Sequence, residues 1–97
     1  MENVIFRPAA AVELREAYEW YEQRDVGLGM EFMRCVESCL ETTKRHPAIY
    51  PVVYQNVRQG LVRRFPYSVF YLVAKEEIVV LSIFHAKRNP RIWQRRA

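Results

Sequence analysis

The chain has 97 residues, 51% hydrophobic and 13% aromatic, with 15 Lys and Arg against 11 Asp and Glu for a formal net charge of +4. That is one domain, 1–97, able to withdraw about 60–68% of its unfolded surface from water and too apolar for global disorder. No run approaches the roughly 20 apolar residues of a membrane span, so a membrane partner is not expected. The start, Met1-Glu2-Asn3-Val4, lacks the basic and apolar regions of a secretory signal, which points to the cytoplasm.

Residues 3–7 read as a short opening strand, stopped by Pro8, a residue that also suits the first turn of a helix. From Ala9 to about Arg24, Ala10, Leu14, Ala17, Tyr18 and Tyr21 recur on one face of a 3.6-residue period. Glu13, Glu16, Glu19 and Glu22 fall mostly on the other side, which reads as a solvated face. Gly27 and Gly29 bracket a turn. A second helix, about Leu28 to Arg45, presents Leu28, Phe32, Cys35, Val36, Cys39 and Leu40 on one face. Lys44, Arg45 and His46 suit its negative end, and Pro47 prevents continuation. Cys35 and Cys39 with His46 have a conceivable metal spacing, but the two thiols share a stripe with Phe32, Val36 and Thr43. Free cysteines behave as small buried hydrophobes, so neither metal nor cofactor is expected.

A Pro/Tyr loop follows, from Pro47 to Gln55, and then Val57 to Arg64 forms a strand. Pro66 places a bulge or strand start ahead of Tyr67 to Val73. That segment and Ile78 to Phe84 are β-branched and aromatic, as in buried strands, with Ala74-Lys75-Glu76-Glu77 as the turn between them. The architecture is α+β in the order β-α-α-β-β-β, an N-terminal helical hairpin packed on a small antiparallel sheet.

Charge is unevenly distributed. Residues 58–97 hold nine Lys and Arg against two acids, whereas residues 1–57 hold six against nine. If residue 74 faces residue 77, then 85 faces 66, so Arg63, Arg64 and Tyr67 meet His85, Lys87 and Arg88 at one end of the sheet. Trp93 follows closely, either as a cover for the sheet edge or as a partner anchor. Arg95 and Arg96 read as a solvated tail. Basic and aromatic residues gathered in this way fit a polyanion or an acidic partner.

The chain resembles the RelE/ParE superfamily of toxins from bacterial type II toxin–antitoxin pairs. The resemblance rests on Phe6 with Ala9–Leu14, on Trp20-Tyr21-Glu22, on Gly27-Leu28-Gly29 before Phe32, and on Pro47 with Tyr50-Pro51. It continues through Arg63-Arg64-Phe65-Pro66-Tyr67 ahead of Phe70-Tyr71, then His85-Ala86-Lys87-Arg88-Asn89-Pro90 and Trp93. It implies growth arrest, relieved by a cognate antitoxin in a toxin–antitoxin hetero-oligomer. Two activities occur in the superfamily: RelE-like members cleave mRNA on the ribosome, whereas ParE-like members inhibit DNA gyrase without hydrolysis.

Metal-independent RNA cleavage needs a base, an acid and cations for the developing phosphorane charge. Arg64, His85 and Arg88 are the catalytic candidates on that reading. No Asp or Glu lies between Thr42 and Lys75, and Glu76 and Glu77 sit roughly 20–25 Å from His85 at about 3.3 Å per strand residue. Ser68 and Trp93 stand where the RelE-like pattern has other residues. These departures favour a ParE-like gyrase inhibitor, with Arg63, Arg64, Tyr67, His85, Lys87, Arg88 and Trp93 as the patch that carries toxicity. An antitoxin with an acidic, partly disordered tail would meet Arg58, Arg63, Tyr71, Tyr18 and Tyr21, across the helix pair and the strands from Tyr67 to Phe84. A non-toxic module that binds nucleic acid through the same basic and aromatic residues is the reading from another class.

Overall fold

The computed structural model describes residues 3–97. Met1 and Glu2, on which the reading of the chain's start partly rests, lie outside them. The elements are β1 (Asn3–Phe6), α1 (Pro8–Arg24), α2 (Leu28–Arg45), β2 (Val52–Tyr54), β3 (Val57–Leu61), β4 (Tyr67–Ala74), β5 (Glu77–His85) and α3 (Arg91–Gln94).

Pro8 sits in the first turn of α1, where its missing N–H costs nothing and its fixed φ suits the helix. Between the helices Gly27 adopts φ +91°, a left-handed conformation that glycine takes without strain. Glu22 then caps α2 from the preceding helix: its carboxylate accepts from the N–H groups of Gly27 and Gly29, each at 2.9 Å. These are first-turn donors with no helical acceptor, and a negative charge there is favoured by the helix dipole. Glu22 therefore has a structural post rather than a place on a solvated face.

The five strands form one sheet in the order β1-β5-β4-β3-β2. The α+β architecture is the expected one, but the sheet is mixed, because β1 lies parallel to β5. The 47–55 loop also contains the three-residue edge strand β2. The β4–β5 hairpin keeps the expected register from its turn up to Tyr71↔Val80, and then shifts so that Phe70 faces Ser82. Leu81 is the extra residue of that bulge, and Tyr67 rather than Pro66 faces His85.

Each face of the sheet is covered. Phe32, Val36 and Cys39 of α2 and Ala10 and Ala17 of α1 pack on Val69, Tyr71, Ile78, Val80 and Ile83. On the other face Val57, Phe70, Leu81 and Phe84 are closed over by Trp93 of α3. Burial of each large side chain contributes about 1.5–3 kcal/mol. Burial pushes the Cys39 thiol up, as suits an unreactive core cysteine.

Candidate functional site

A cavity of about 540 Å³ opens between α1 and the end of the β4–β5 hairpin. α1 contributes Glu13, Glu16 and the half-exposed Trp20, and the strands contribute Tyr67 and His85, with Arg88 at the rim. Tyr67 and His85 are register partners whose rings meet edge to face at 5.1 Å. Behind them Tyr67 packs on Tyr21 and Phe32. Burial pushes the Tyr67 phenol up, Tyr21 and Glu13 adding to the effect and Arg88 opposing it, so it remains a hydrogen-bond donor at neutral pH. His85 Nδ1 accepts from the N–H of Lys87 at 3.0 Å, which leaves Nε2 as the nitrogen available to a ligand.

Glu13 is the electrostatic centre of this end of the molecule, and its side chain is only 9% exposed. It accepts from Ser82 Oγ at 2.8 Å, the Ile83 N–H at 3.3 Å, Arg88 at 3.0 Å and Arg96 at 2.8 and 3.3 Å. The local reason is topological. β1 accompanies β5 only as far as Val80, and the bulge falls just beyond. There Glu13 takes the Ile83 N–H and Arg96 donates to the Leu81 carbonyl at 3.1 Å, so two side chains replace the missing strand.

Glu13 was expected on a solvated face, and Arg96 in a solvated tail. Both are corrected: α3 and Trp93 turn the tail back so that Arg96 reaches Glu13. The argument that His85 has no carboxylate nearby is corrected as well, since α1 brings both Glu13 and Glu16 to its cavity. A residue count along the strands could not find acids delivered by a helix.

The expected basic patch is divided. His85 and Arg88 line the α1 cavity, while Arg63 and Arg64 line a different one beside α2. Lys87 is exposed next to His85. Arg88 also lies over the Phe84 ring at 4.8 Å. Trp93 is only 4% exposed and stacks on Phe70 at 3.9 Å, so it is a core residue and cannot serve as a surface anchor.

Of the residues assigned to the antitoxin contact, Tyr71 is fully buried and donates its hydroxyl to the Pro47 carbonyl at 2.9 Å. Arg58 donates to the carbonyls of Ala48 and Tyr50 at 3.2 and 2.7 Å. Together they pin the loop before β2; full burial removes Tyr71 from the expected contact, while Arg58 stays half-exposed. Tyr18 and Tyr21 are half-buried, and Tyr18 lines an apolar groove on the outside of the hairpin with Met30 and Met33.

The family described as "ParE toxin of type II toxin-antitoxin system, parDE" matches residues 4–90. The chain belongs to this family. Among solved structures, a chain from the "Chromosomal ParDE TA system from P. aeruginosa" shares the fold with a TM-score of 0.63. It is 22% identical, and the match covers 90% of this chain and 98% of that one. No curated protein matches the sequence. Within the ParE-type fold, the sequence reading gave Glu13, Glu16, Trp20 and Arg96 no place at this site, where Glu13, Glu16 and Trp20 line the cavity and Arg96 holds Glu13. For Glu13 a signal existed: it lies three residues after Ala10 and four before Ala17, on the buried stripe. No helix of the described residues is long and apolar enough to cross a membrane.

Proposed function

We propose that this ParE-family chain is a cytoplasmic toxin that acts by binding, inhibiting DNA gyrase, and that a cognate antitoxin with an acidic, partly disordered tail neutralises it in a hetero-oligomer. The observation that carries this reading is the state of Glu13. A general base needs a free lone pair directed at the proton it removes. Glu13 is committed to Ser82, Ile83, Arg88 and Arg96, and it holds Arg88 in place as well. The cavity retains aromatic rings, His85 Nε2 and a half-exposed guanidinium, a set suited to gripping a protein surface. The exposed remainder of the basic half supplies charge for an acidic tail.

One observation favours a second reading. Glu16 has no side-chain partner among the described residues and lines the same cavity as His85 and Arg88. A carboxylate, an imidazole and a guanidinium around one cavity are the parts of a metal-independent ribonuclease. The purified chain is therefore tested in parallel against gyrase supercoiling and against mRNA on programmed ribosomes. The binding reading expects supercoiling to stop with mRNA intact. Cleaved mRNA with gyrase unaffected, abolished by His85→Ala and by Glu16→Gln, overturns it in favour of the nuclease.

A further inference from the structure

A second cavity, of about 320 Å³, opens between α2 and the β3–β4 loop. Arg34 and Ser38 of α2 face Leu61, Arg63 and Arg64 across it. Consecutive residues of a strand point to opposite faces, so Arg63 and Arg64 would be separated if β3 continued. It ends at Leu61, and Arg64 takes φ +69°, in the left-handed region. Both arginines therefore line the same cavity. For a bulky side chain that conformation costs about 1–2 kcal/mol, and such strain gathers where a ligand is held.

The floor is closed by an unusually near approach. A Cβ on Gly60 would stand 2.8 Å from Cys39 Sγ and 3.0 Å from the Tyr50 ring, so only bare backbone lets these two pack under the arginines. Charge on the walls is unbalanced. Arg64 pairs with Glu31 at 2.8 Å, but neither Arg34 nor Arg63 has a side-chain partner among the described residues. Guanidinium groups do not deprotonate, so two positive charges stand unopposed around one small cavity, with the Ser38 hydroxyl free beside them.

A surplus of two charges and forked N–H donors match a doubly charged tetrahedral anion. A carboxylate or a phosphodiester brings one charge and two free oxygens; a terminal phosphate brings up to two charges and three oxygens. We infer that this cavity binds a terminal phosphate group, held by Arg34 and Arg63, with Ser38 and Arg64 completing the cradle. The site stands apart from the α1 cavity and does not depend on the gyrase reading.

The test is calorimetric titration of the purified chain with a 5′-phosphorylated dinucleotide and with its unphosphorylated twin, at one ionic strength. Saturable binding of the first is expected, at least about tenfold tighter than the second. Arg34→Gln and Arg63→Gln should each weaken it about tenfold. Neither should move the thermal midpoint, since both side chains are exposed and unpaired. Arg91→Gln, in α3, should bind as the parent does. Binding should also fade as pH drops below about 6, where the phosphate dianion takes up a proton and keeps only one negative charge. Equal binding of the two dinucleotides, undiminished binding by Arg34→Gln, or equal competition from a Glu-rich peptide would each overturn the assignment. The gyrase and ribosome assays are unaffected by any of these outcomes, so the two readings fail separately.

Discussion

The α1 cavity and the α2 cavity flank one helical hairpin and each has arginines at or beside it, yet their charges are in opposite states. Beside α1, Arg88 and Arg96 converge on Glu13, and that carboxylate is almost out of solvent. Beside α2, Arg34 and Arg63 have no carboxylate, and the pair between Arg64 and Glu31 is largely exposed. A salt bridge of the second kind contributes about 0–1 kcal/mol, whereas breaking one of the first kind costs several. A sequence-level surplus of positive charge therefore counts arginines without saying which are available. On the α1 side they hold the fold together, and on the α2 side they are left for a ligand.

The largest expected effect tests the structural half of that contrast. Glu13→Ala should lower unfolding free energy by about 3–5 kcal/mol in urea titration, because it strands Arg96, Ser82 and the Ile83 N–H at once. Arg96→Gln should cost less, about 1.5–3 kcal/mol, since one charge-assisted donor set is lost while Arg88 remains on Glu13. A Glu13→Ala protein that melts with the parent would show that the carboxylate is dispensable and would erase the difference between the cavities.

The pattern of the chain accounts for most of the architecture. Strong periodicity in α2 and β-branched runs in β4 and β5 made those elements legible, because packing and local preference agree there. β2 and α3 were not, being three and four residues long and held by distant groups: Tyr71 and Arg58 for the first, Phe70 for the second. The site was less legible than the fold for the same reason. Spacing along a strand brings Tyr67 to His85, but it carries no information on which helix side chain arrives from above. The spacing from Ala10 and Ala17 puts Glu13 on the buried stripe, but what it meets there is set by the end of β1 and the bulge at Leu81, neither of which leaves a mark in the sequence around it.

A smaller effect distinguishes the floor of the α2 cavity. Burial, reinforced by the Cys39 thiol, pushes the Tyr50 phenol up to about 12. Below about pH 10 Tyr50 is protonated whether the chain is folded or not, and contributes no pH dependence. Between there and about 12 only the unfolded phenol ionises, so stability should fall as pH rises. Tyr21, Tyr67 and Tyr71 are shifted the same way and should add to the slope. Urea titrations across that range should show a shallower decline for Tyr50→Phe than for the parent. Identical slopes would mean that the closed floor does not exist in solution.

The smallest expected change in stability belongs to Arg64→Gly. The substitution relieves the left-handed φ of +69°, which stabilises, and deletes the exposed pair with Glu31, which destabilises slightly. The relieved strain of about 1–2 kcal/mol is offset by the roughly 0.4–1 kcal/mol of chain entropy that glycine adds and by the pair's roughly 0–1 kcal/mol, so the urea midpoint should hardly move. Dinucleotide affinity should nevertheless drop, because one wall of the cradle is gone and the loop is free to turn Arg63 away. A residue kept only for its ion pair would show the reverse: a lower midpoint with affinity intact. The two outcomes separate strain that serves a ligand from strain that serves nothing.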